Sequence, residues 1–103
     1  MKAVLVAIAI PVFSAQLEKA KEATDAANLR AAYAQLMAAS ISGEATTPID
    51  VPQKQEVSTW ATAPTFPDNF TVAAPKDGKT NKWTVSIKTN ATTGLAEGAE
   101  ATN

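Results

Sequence analysis

The sequence predicts an α+β fold in which one long N-terminal α-helix packs against a small antiparallel β-sheet. Residues 12–42 contain neither glycine nor proline and are rich in good helix formers. Residues 82–88, KWTVSIK, alternate apolar and polar side chains as a half-buried strand does. The segments between them carry prolines and an Asp-Gly turn signal. We therefore divide the chain into a helix, residues 1–42, and a sheet region, residues 43–103.

The first element of the helix is an apolar run, in which 10 of the 11 residues from 3 to 13 are apolar. That is roughly half of the ~20 residues that a membrane-spanning helix needs. The run has three possible interpretations. A secretory signal peptide would place Phe13 where cleavage after Ala15 needs a small residue, and a buried helix start is the second possibility. We expect the third, the rear half of a longer hydrophobic helix that begins before Ala3.

Pro11 stands inside this run. Proline removes one backbone hydrogen bond from a helix, so we predict a kink at Pro11. The alternative is that Pro11 occupies the first turn of a helix that begins there. Apolar residues on both sides of Pro11 favour the kink.

The second part of the helix, residues 14–42, is amphipathic, and Gly43 followed by Pro48 predicts its end. Thirty-one helical residues from Val12 to Ser42 extend about 46 Å at 1.5 Å each. A compact domain of this size is only about 30 Å across. We therefore expect the helix to project from its own domain.

At 100° per residue the helix has two apolar faces. A bulky face suits packing against the protein's own sheet and consists of Leu29, Tyr33 and Leu36. The opposite face is mostly alanine, which permits the close approach of other helices. Its main members, which we call the assembly face, are Phe13, Leu17, Ala20, Ala27 and Ala31. The alternative is that these alanines reflect helix propensity alone.

Charged side chains occupy the N-terminal half of the helix, where the acids lie on the side opposite the assembly face. Glu18, Lys21, Glu22 and Asp25 stand at helical spacings that permit local ion pairs. We expect a solvated face. The alternative is pairing between subunits, with Arg30 as a partner.

The sheet region is predicted from strand and turn signals. Prolines predict a loop over residues 43–55, and weak alternation predicts a first strand over residues 56–62. Residues 70–74 and 82–88 are the further strands, on either side of the Asp77-Gly78 turn. The tail that follows Asn90 is small and polar, so we expect it to be frayed or to add at an edge of the sheet.

The apolar face of the clearest strand completes the predicted core. Trp83, Val85 and Ile87 point to one side of residues 82–88, and we expect them to meet the bulky face of the helix. Three aromatic residues are expected to close the rim of this core: Trp60, Phe66 and Phe70.

The composition narrows the classes of function. The formal net charge is −1, which lacks the basic field that nucleic-acid binding uses. The chain has no cysteine and no histidine, so it lacks disulfides, thiolate catalysis, the commonest metal ligand and the usual general base. We expect a protein that is not an enzyme, has no cofactor or metal and does not bind nucleic acid.

The helix also carries a family resemblance. The stretch AIAIPVFSAQLEKAKEATDAANLRAAYAQ, residues 7–35, resembles the N-terminal segments of the type IV pilin-like superfamily, the pilins and pseudopilins. In particular, IAIPVF is similar to the prepilin-type N-terminal segment, and the run after it is similar to Gram-positive members. Beyond residue 43 only the order of helix and sheet agrees.

The resemblance implies a structural subunit of a bacterial type IV pilus or type II secretion-like filament. Such subunits self-associate, and associate with other pilin-like subunits, through their N-terminal helices. The cytoplasmic membrane holds them before assembly, and the finished filament lies at the cell surface. The Gly-Phe cleavage site and the glutamate of the family do not occur in residues 1–3, so we assign no residue to processing or methylation. The alternative is a monomeric exported binding module with a cleaved signal peptide.

Some pseudopilins also have a calcium loop, and this chain has candidate oxygen ligands at Asp68, Asp77, Asn81 and Asn90. Their spacing is not that of an EF-hand. The Asp77-Gly78 pair is explained as a turn, so we predict no calcium site.

Overall fold

One long helix, α1, runs from Lys2 to Ser42. The computed structural model describes the backbone of residues 2–103 and the side chains of residues 16–103. Gly43 ends the helix at a φ of +76°, a conformation that glycine adopts without steric cost. The N–H of Gly43 donates to the carbonyl of Ser40, and the N–H of Glu44 donates to the carbonyl of Ala39 at 2.9 Å. These two bonds are the Schellman closure of a helix C-terminus, at the residue where the sequence predicts the end.

Four strands follow the helix. Their bounds are Ile49–Pro52 (β1), Phe70–Val72 (β2), Lys82–Thr89 (β3) and Ala96–Thr102 (β4). They form one sheet in the order β1-β3-β4-β2. The α+β class with its long N-terminal helix is confirmed.

The strand directions correct one part of the prediction. β3 is antiparallel to both β1 and β4, but β2 is parallel to β4. The sheet is therefore mixed, and the expectation of a purely antiparallel sheet is wrong. The Asp77-Gly78 turn does not join neighbouring strands, because β4 lies between β2 and β3. Between β2 and β4 the chain passes through β3, so no tight turn joins β2 to β4. The two strands can therefore lie parallel.

The helix covers one face of the sheet and leaves the other to solvent. Trp83 and Val85 of β3 point to the helix and are fully buried, whereas Lys82 and Lys88 are exposed. The register places Val85 beside Ala101 of β4, whose side chain is also buried. The resulting core contains Leu29, Ala32, Leu36, Val51, Phe70, Trp83, Val85, Ala99 and Ala101.

The first strand lies where the sequence predicts a loop. Pro52 ends β1, and β1 is an edge strand, where a residue without an N–H is tolerated. The predicted strand over residues 56–62 is wrong. The backbone N–H groups of Glu56 and Ala61 donate to glutamate side chains of α1 instead of to a neighbouring strand.

The tail is neither frayed nor at an edge, because β4 pairs on both sides. Its inward residues are alanines, which need little space beneath the helix. Gly98 is required by a close approach. A Cβ there would overlap the carbonyl oxygen of Asn69, which accepts the N–H of Ala99 at 3.0 Å. Small residues therefore let β4 occupy the middle of the sheet.

Candidate assembly face of the helix

The assembly face is exposed along the part of α1 whose side chains are described. Leu17, Ala20, Ala27 and Ala31 are all exposed, and Leu17 retains 47% of its surface. On the other side of the helix, Leu29 is fully buried in the core. The helix therefore uses one side for its own sheet and leaves the assembly face open.

Two predicted positions lie outside this range. The side chains of Pro11 and Phe13 are not among the described residues. The kink at Pro11 and the contribution of Phe13 to the assembly face stay predictions.

The predicted helix–sheet contacts come together in one cluster. Leu29, Leu36, Trp83 and Val85 are buried within it, and two half-buried residues, Tyr33 and Ile87, pack against it. The ring of Tyr33 lies 4.9 Å from the ring of Phe70, measured between centroids. The hydroxyl of Tyr33 donates to Oδ1 of Asn69 at 2.6 Å. Tyr33 thus joins the helix to the start of β2.

The rim of the core is aromatic. Trp60 stacks on Trp83 with centroids 6.2 Å apart and ring planes 13° apart. Phe66 meets Phe70 edge to face at 5.5 Å. The segment between β1 and β2 therefore folds back over the core that the strands and helix form.

Arg30 holds the same segment from the helix. Its guanidinium lies 5.3 Å from the ring centroid of Phe66. Its Nε and Nη2 atoms donate to the carbonyl of Thr65 at 3.0 and 2.7 Å. The structure engages Arg30 within its own chain, so the alternative of pairing with another subunit has no support from this geometry.

Three acidic side chains of α1 bind the backbone of the segment after β1, and we call Glu18, Glu22 and Asp25 the carboxylate clamp. Asp25 accepts two N–H groups, that of Lys54 at 2.6 Å and that of Gln55 at 2.8 Å. Glu18 accepts the N–H of Glu56 at 3.0 Å, and Glu22 accepts that of Ala61 at 2.7 Å. The expectation of a solvated acidic face is wrong for Glu22 and Asp25, which are 7% and 0% exposed.

Two opposing effects act on the Asp25 carboxyl. Burial raises its pKa above the ordinary value, because the charged form is desolvated. The N–H groups of Gln55 and Lys54 act the other way, because they donate to the carboxylate. The desolvation is the larger effect. Asp25 is thus a buried acceptor whose geometry satisfies two backbone donors in a segment without strand partners.

Acidic side chains are rarely buried, so apolar character predicts the buried side of α1 only from Leu29 onward. Glu18, Glu22 and Asp25 stand four and three residues apart and continue the stripe of Leu29 and Leu36 at the same helical spacing. Their position on that stripe indicates the side of the helix that faces the sheet region, although the sequence carries no signal for their backbone partners.

Lys21 adds an ion pair beside the clamp. Its Nζ lies 2.6 Å from Oε2 of Glu56, and both side chains are partly exposed. The hydrogen bond from Lys21 lowers the pKa of Glu56, and the same bond raises the pKa of Lys21. The pair fastens the loop after β1 to the N-terminal half of the helix.

This pair predicts a pH dependence of stability. The lowered pKa of Glu56 stabilises the fold above the ordinary value of 4.5, and this contribution is lost as pH falls through the pKa of the folded state. The raised pKa of Lys21 stabilises the fold below 10.5, and this contribution is lost as pH rises through the pKa of the folded state. The difference in unfolding free energy between wild type and Lys21→Gln is therefore expected to be greatest near neutral pH and to shrink at both extremes. Urea titrations across the pH range measure it.

Lys88→Gln is the control, because Lys88 is exposed and makes no ion pair among the described residues. Its effect on stability should be small at every pH. A Lys21→Gln difference that stays constant from acid to alkaline pH would contradict the assignment of the pair.

Three of the four candidate calcium ligands, Asp77, Asn81 and Asn90, serve other contacts. Oδ1 of Asp77 accepts the N–H of Ser58 at 2.7 Å, and Nδ2 of Asn81 donates to the carbonyl of Asp77 at 2.8 Å. Oδ1 of Asn90 accepts the N–H groups of Thr92 and Thr93. Within the described part of the chain, no three acidic side chains are grouped in a way that could hold a metal ion.

Comparison with known proteins adds no relative: no family model, curated protein or solved structure matches this chain. Among the described residues, the helix offers no apolar stretch of the length needed to cross a bilayer. The helix faces and their contacts are therefore the observations on which a function rests.

Proposed function

We propose that this chain is a structural subunit of a type IV pilus or type II secretion-like filament. Neighbouring subunits pack through the assembly face of the N-terminal helix. The cytoplasmic membrane holds the subunit before assembly, and the filament displays the sheet at the bacterial cell surface. The resemblance of residues 7–35 to pilin-like N-terminal segments motivates the proposal.

The observation that carries the proposal is the exposure of the assembly face. A helix that served only its own sheet would need one apolar side, and Leu29 and Leu36 already supply it. On the opposite side of the helix, Leu17 is nevertheless 47% exposed, and the alanines of the assembly face are exposed beside it. Small side chains let helix axes approach to the short end of the usual 8–10 Å range. A bundle of such helices buries this face.

The shape of the molecule supports the same arrangement. Its principal extents are 68, 23 and 21 Å, so the length is about three times the width. Among residues with described side chains, the hydrogen bonds from α1 to the sheet region begin at Glu18. In the proposed filament, the helix turns preceding Glu18 pack against neighbouring subunits.

We expect Ala27→Arg and Ala31→Arg to reduce filament yield at least tenfold. Each places a long charged side chain on a face that assembly buries, and an unpaired buried charge is strongly unfavourable. Both positions are exposed in the isolated chain, so the free energy of unfolding should change by no more than about 0.5 kcal/mol. Electron microscopy of filaments sheared from the native host measures yield, and urea denaturation measures stability.

Thr71→Arg is the matched control. It adds the same charge at an exposed position of β2, on the solvent-facing side of the sheet opposite Glu100. Filament yield should stay within twofold of wild type. Normal yields from both helix variants would contradict the proposed face.

Mass spectrometry of the native N-terminus separates the filament subunit from a monomeric exported binding module. A filament subunit is expected to have an N-terminus upstream of Met1 that bears a methylated phenylalanine. A mature chain that begins near Gln16 would refute the proposal, because it would lack the first turns of the helix and the apolar run.

A further inference from the structure

The helix and the edge strand β1 enclose a cleft of about 230 Å³, which we call the β1 cleft. Ala32 and Val51 line it, and both side chains are buried. Ala31 belongs both to the cleft and to the assembly face, so the cleft continues the assembly face toward β1. The lining is mainly apolar. Its apolar residues are Ala31, Ala32, Ile49, Val51 and Pro52.

Polar side chains border the β1 cleft, and the charge among them is already paired. Asn28, Gln35 and Asp50 line the cleft and are exposed. Asp50 is the one charged residue among the described residues that line it. Its carboxylate accepts the ammonium group of Lys82 and the hydroxyl of Thr84, each at 3.0 Å. An apolar side chain that enters the cleft therefore leaves no unpaired charge behind.

Leu17 is the large apolar side chain on the described part of the assembly face, and it is 47% exposed. The charged residues beside it on the helix are occupied within their own chain. Glu18 accepts the N–H of Glu56, and Lys21 pairs with the Glu56 carboxylate at 2.6 Å. Leu17 thus presents an apolar knob whose burial does not require these charges to lose their partners.

Size and position match Leu17 to the β1 cleft. A cavity of about 150 Å³ holds a benzene molecule, so a cleft of 230 Å³ has room for a leucine side chain. At 100° per residue Leu17 and Ala31 lie on the same side of the helix. Two more exposed residues fit less well, because Ile41 is turned away from that side and Leu95 lies in the turn between β3 and β4.

The knob and the cleft lie at different levels of the molecule. Leu17 precedes Ala31 and Ala32 by about 22 Å along the axis of the continuous helix. Leu17 therefore cannot fill the cleft of its own chain. Two copies with parallel helices also cannot exchange both contacts at once. An apolar knob that is complementary to a pocket elsewhere on the same molecule makes a heterologous contact, which repeats from copy to copy without closing.

We propose that Leu17 of one subunit inserts into the β1 cleft of the next subunit, with the two helices parallel. This inference rests on the proposed filament and names the surface that receives the assembly face of a neighbour. The contact buries the exposed part of Leu17 and covers the cleft. It also places the helix turns that precede Glu18 along the helix of the next subunit. Because the contact does not close on itself, it propagates the filament.

Cross-linking of filaments tests the contact directly, because the chain has no cysteine of its own. A stagger of about 22 Å places Ala20 of one subunit level with Gln35 of the next, and both are exposed in the isolated chain. We expect filaments of the double variant Ala20→Cys/Gln35→Cys, treated with a short bis-maleimide, to yield a ladder of covalent oligomers on a denaturing gel. Each single variant should yield no ladder, because its subunits carry one thiol.

Ala20→Cys/Lys88→Cys is the matched control, because Lys88 lies on the solvent-facing side of β3, away from the β1 cleft. It should yield no ladder. Equal ladders from both pairs would overturn the proposal, since the contact would then have no defined position. Dimers alone from the Ala20 and Gln35 pair would also overturn it, because they indicate a closed antiparallel pair. Intact filaments without cross-links, as an occupant other than a second copy would give, would refute this inference but not the filament.

Substitutions of Leu17 itself provide a second measurement. Leu17→Ala should lower filament yield about fivefold, the fold-change that corresponds to burying the exposed half of a leucine side chain. Leu17→Met conserves the volume of the knob and should stay within twofold of wild type. A wild-type yield from Leu17→Ala would overturn the proposed insertion. A wild-type chain that forms no filaments would refute both the proposed function and this inference.

Discussion

Replacing Trp83 by alanine is expected to lower the free energy of unfolding by about 4 kcal/mol, the largest effect of any single change considered. Trp83 is fully buried at the centre of the helix–sheet core. Its ring stacks on Trp60, and its Nε1 donates to the carbonyl of Ala73 at 2.9 Å. The variant therefore loses packing, an aromatic contact and a buried hydrogen bond together. Urea denaturation followed by circular dichroism measures the loss.

Trp83→Phe and Trp60→Ala are the controls for this prediction. Trp83→Phe keeps an aromatic ring but removes the donor to Ala73, so its cost should be smaller than that of Trp83→Ala. Trp60 is only half-buried, so Trp60→Ala should also cost less. A Trp83→Ala loss below about 1 kcal/mol would contradict the central place of Trp83 in the core.

Asp25→Ala is expected to lower the free energy of unfolding by about 3 kcal/mol. The alanine would leave the N–H groups of Lys54 and Gln55 without an acceptor inside the protein. Each such loss costs about 1–3 kcal/mol, and relief of the desolvated carboxylate offsets part of the total. Urea denaturation at neutral pH measures the change.

Two further variants separate the acceptor role of Asp25 from its volume. Asp25→Asn has nearly the same size, but its amide presents a donor to one of the two N–H groups, so its cost should approach that of Asp25→Ala. Glu18→Ala removes one acceptor at a partly exposed site and should cost about 1 kcal/mol or less. If Asp25→Asn proved as stable as wild type, the clamp would not depend on two acceptors.

Strong local patterns account for the parts of the fold that the sequence predicted. The long segment without glycine or proline forms α1, and Gly43 ends it because left-handed backbone is easy only for glycine. The alternation around Trp83 and Val85 places both residues under the helix. These signals depend on residues close together in the chain, so they can be recognised without knowing the fold.

Long-range pairing explains the parts that could not be predicted. Six of the seven residues of β4 are alanine, glycine or glutamate, which have low strand propensity. The segment is a strand because β3 and β2 pair with it on both sides. Because Pro52 disfavours a strand, the sequence predicts a loop where β1 lies, although an edge strand tolerates a proline. The partners of Asp25 are backbone N–H groups 29 and 30 residues away, which carry no side-chain signature.

Because β4 lies inside the sheet, its late synthesis determines when the sheet region can fold. β1, β2 and β3 all leave the ribosome before Ala96–Thr102, and within the described sheet β2 pairs with β4 alone. Until residue 102 is available, β3 therefore presents an unpaired edge, which is a template for aggregation. The sheet region has to fold after translation of this segment, whereas the helix forms from local contacts alone.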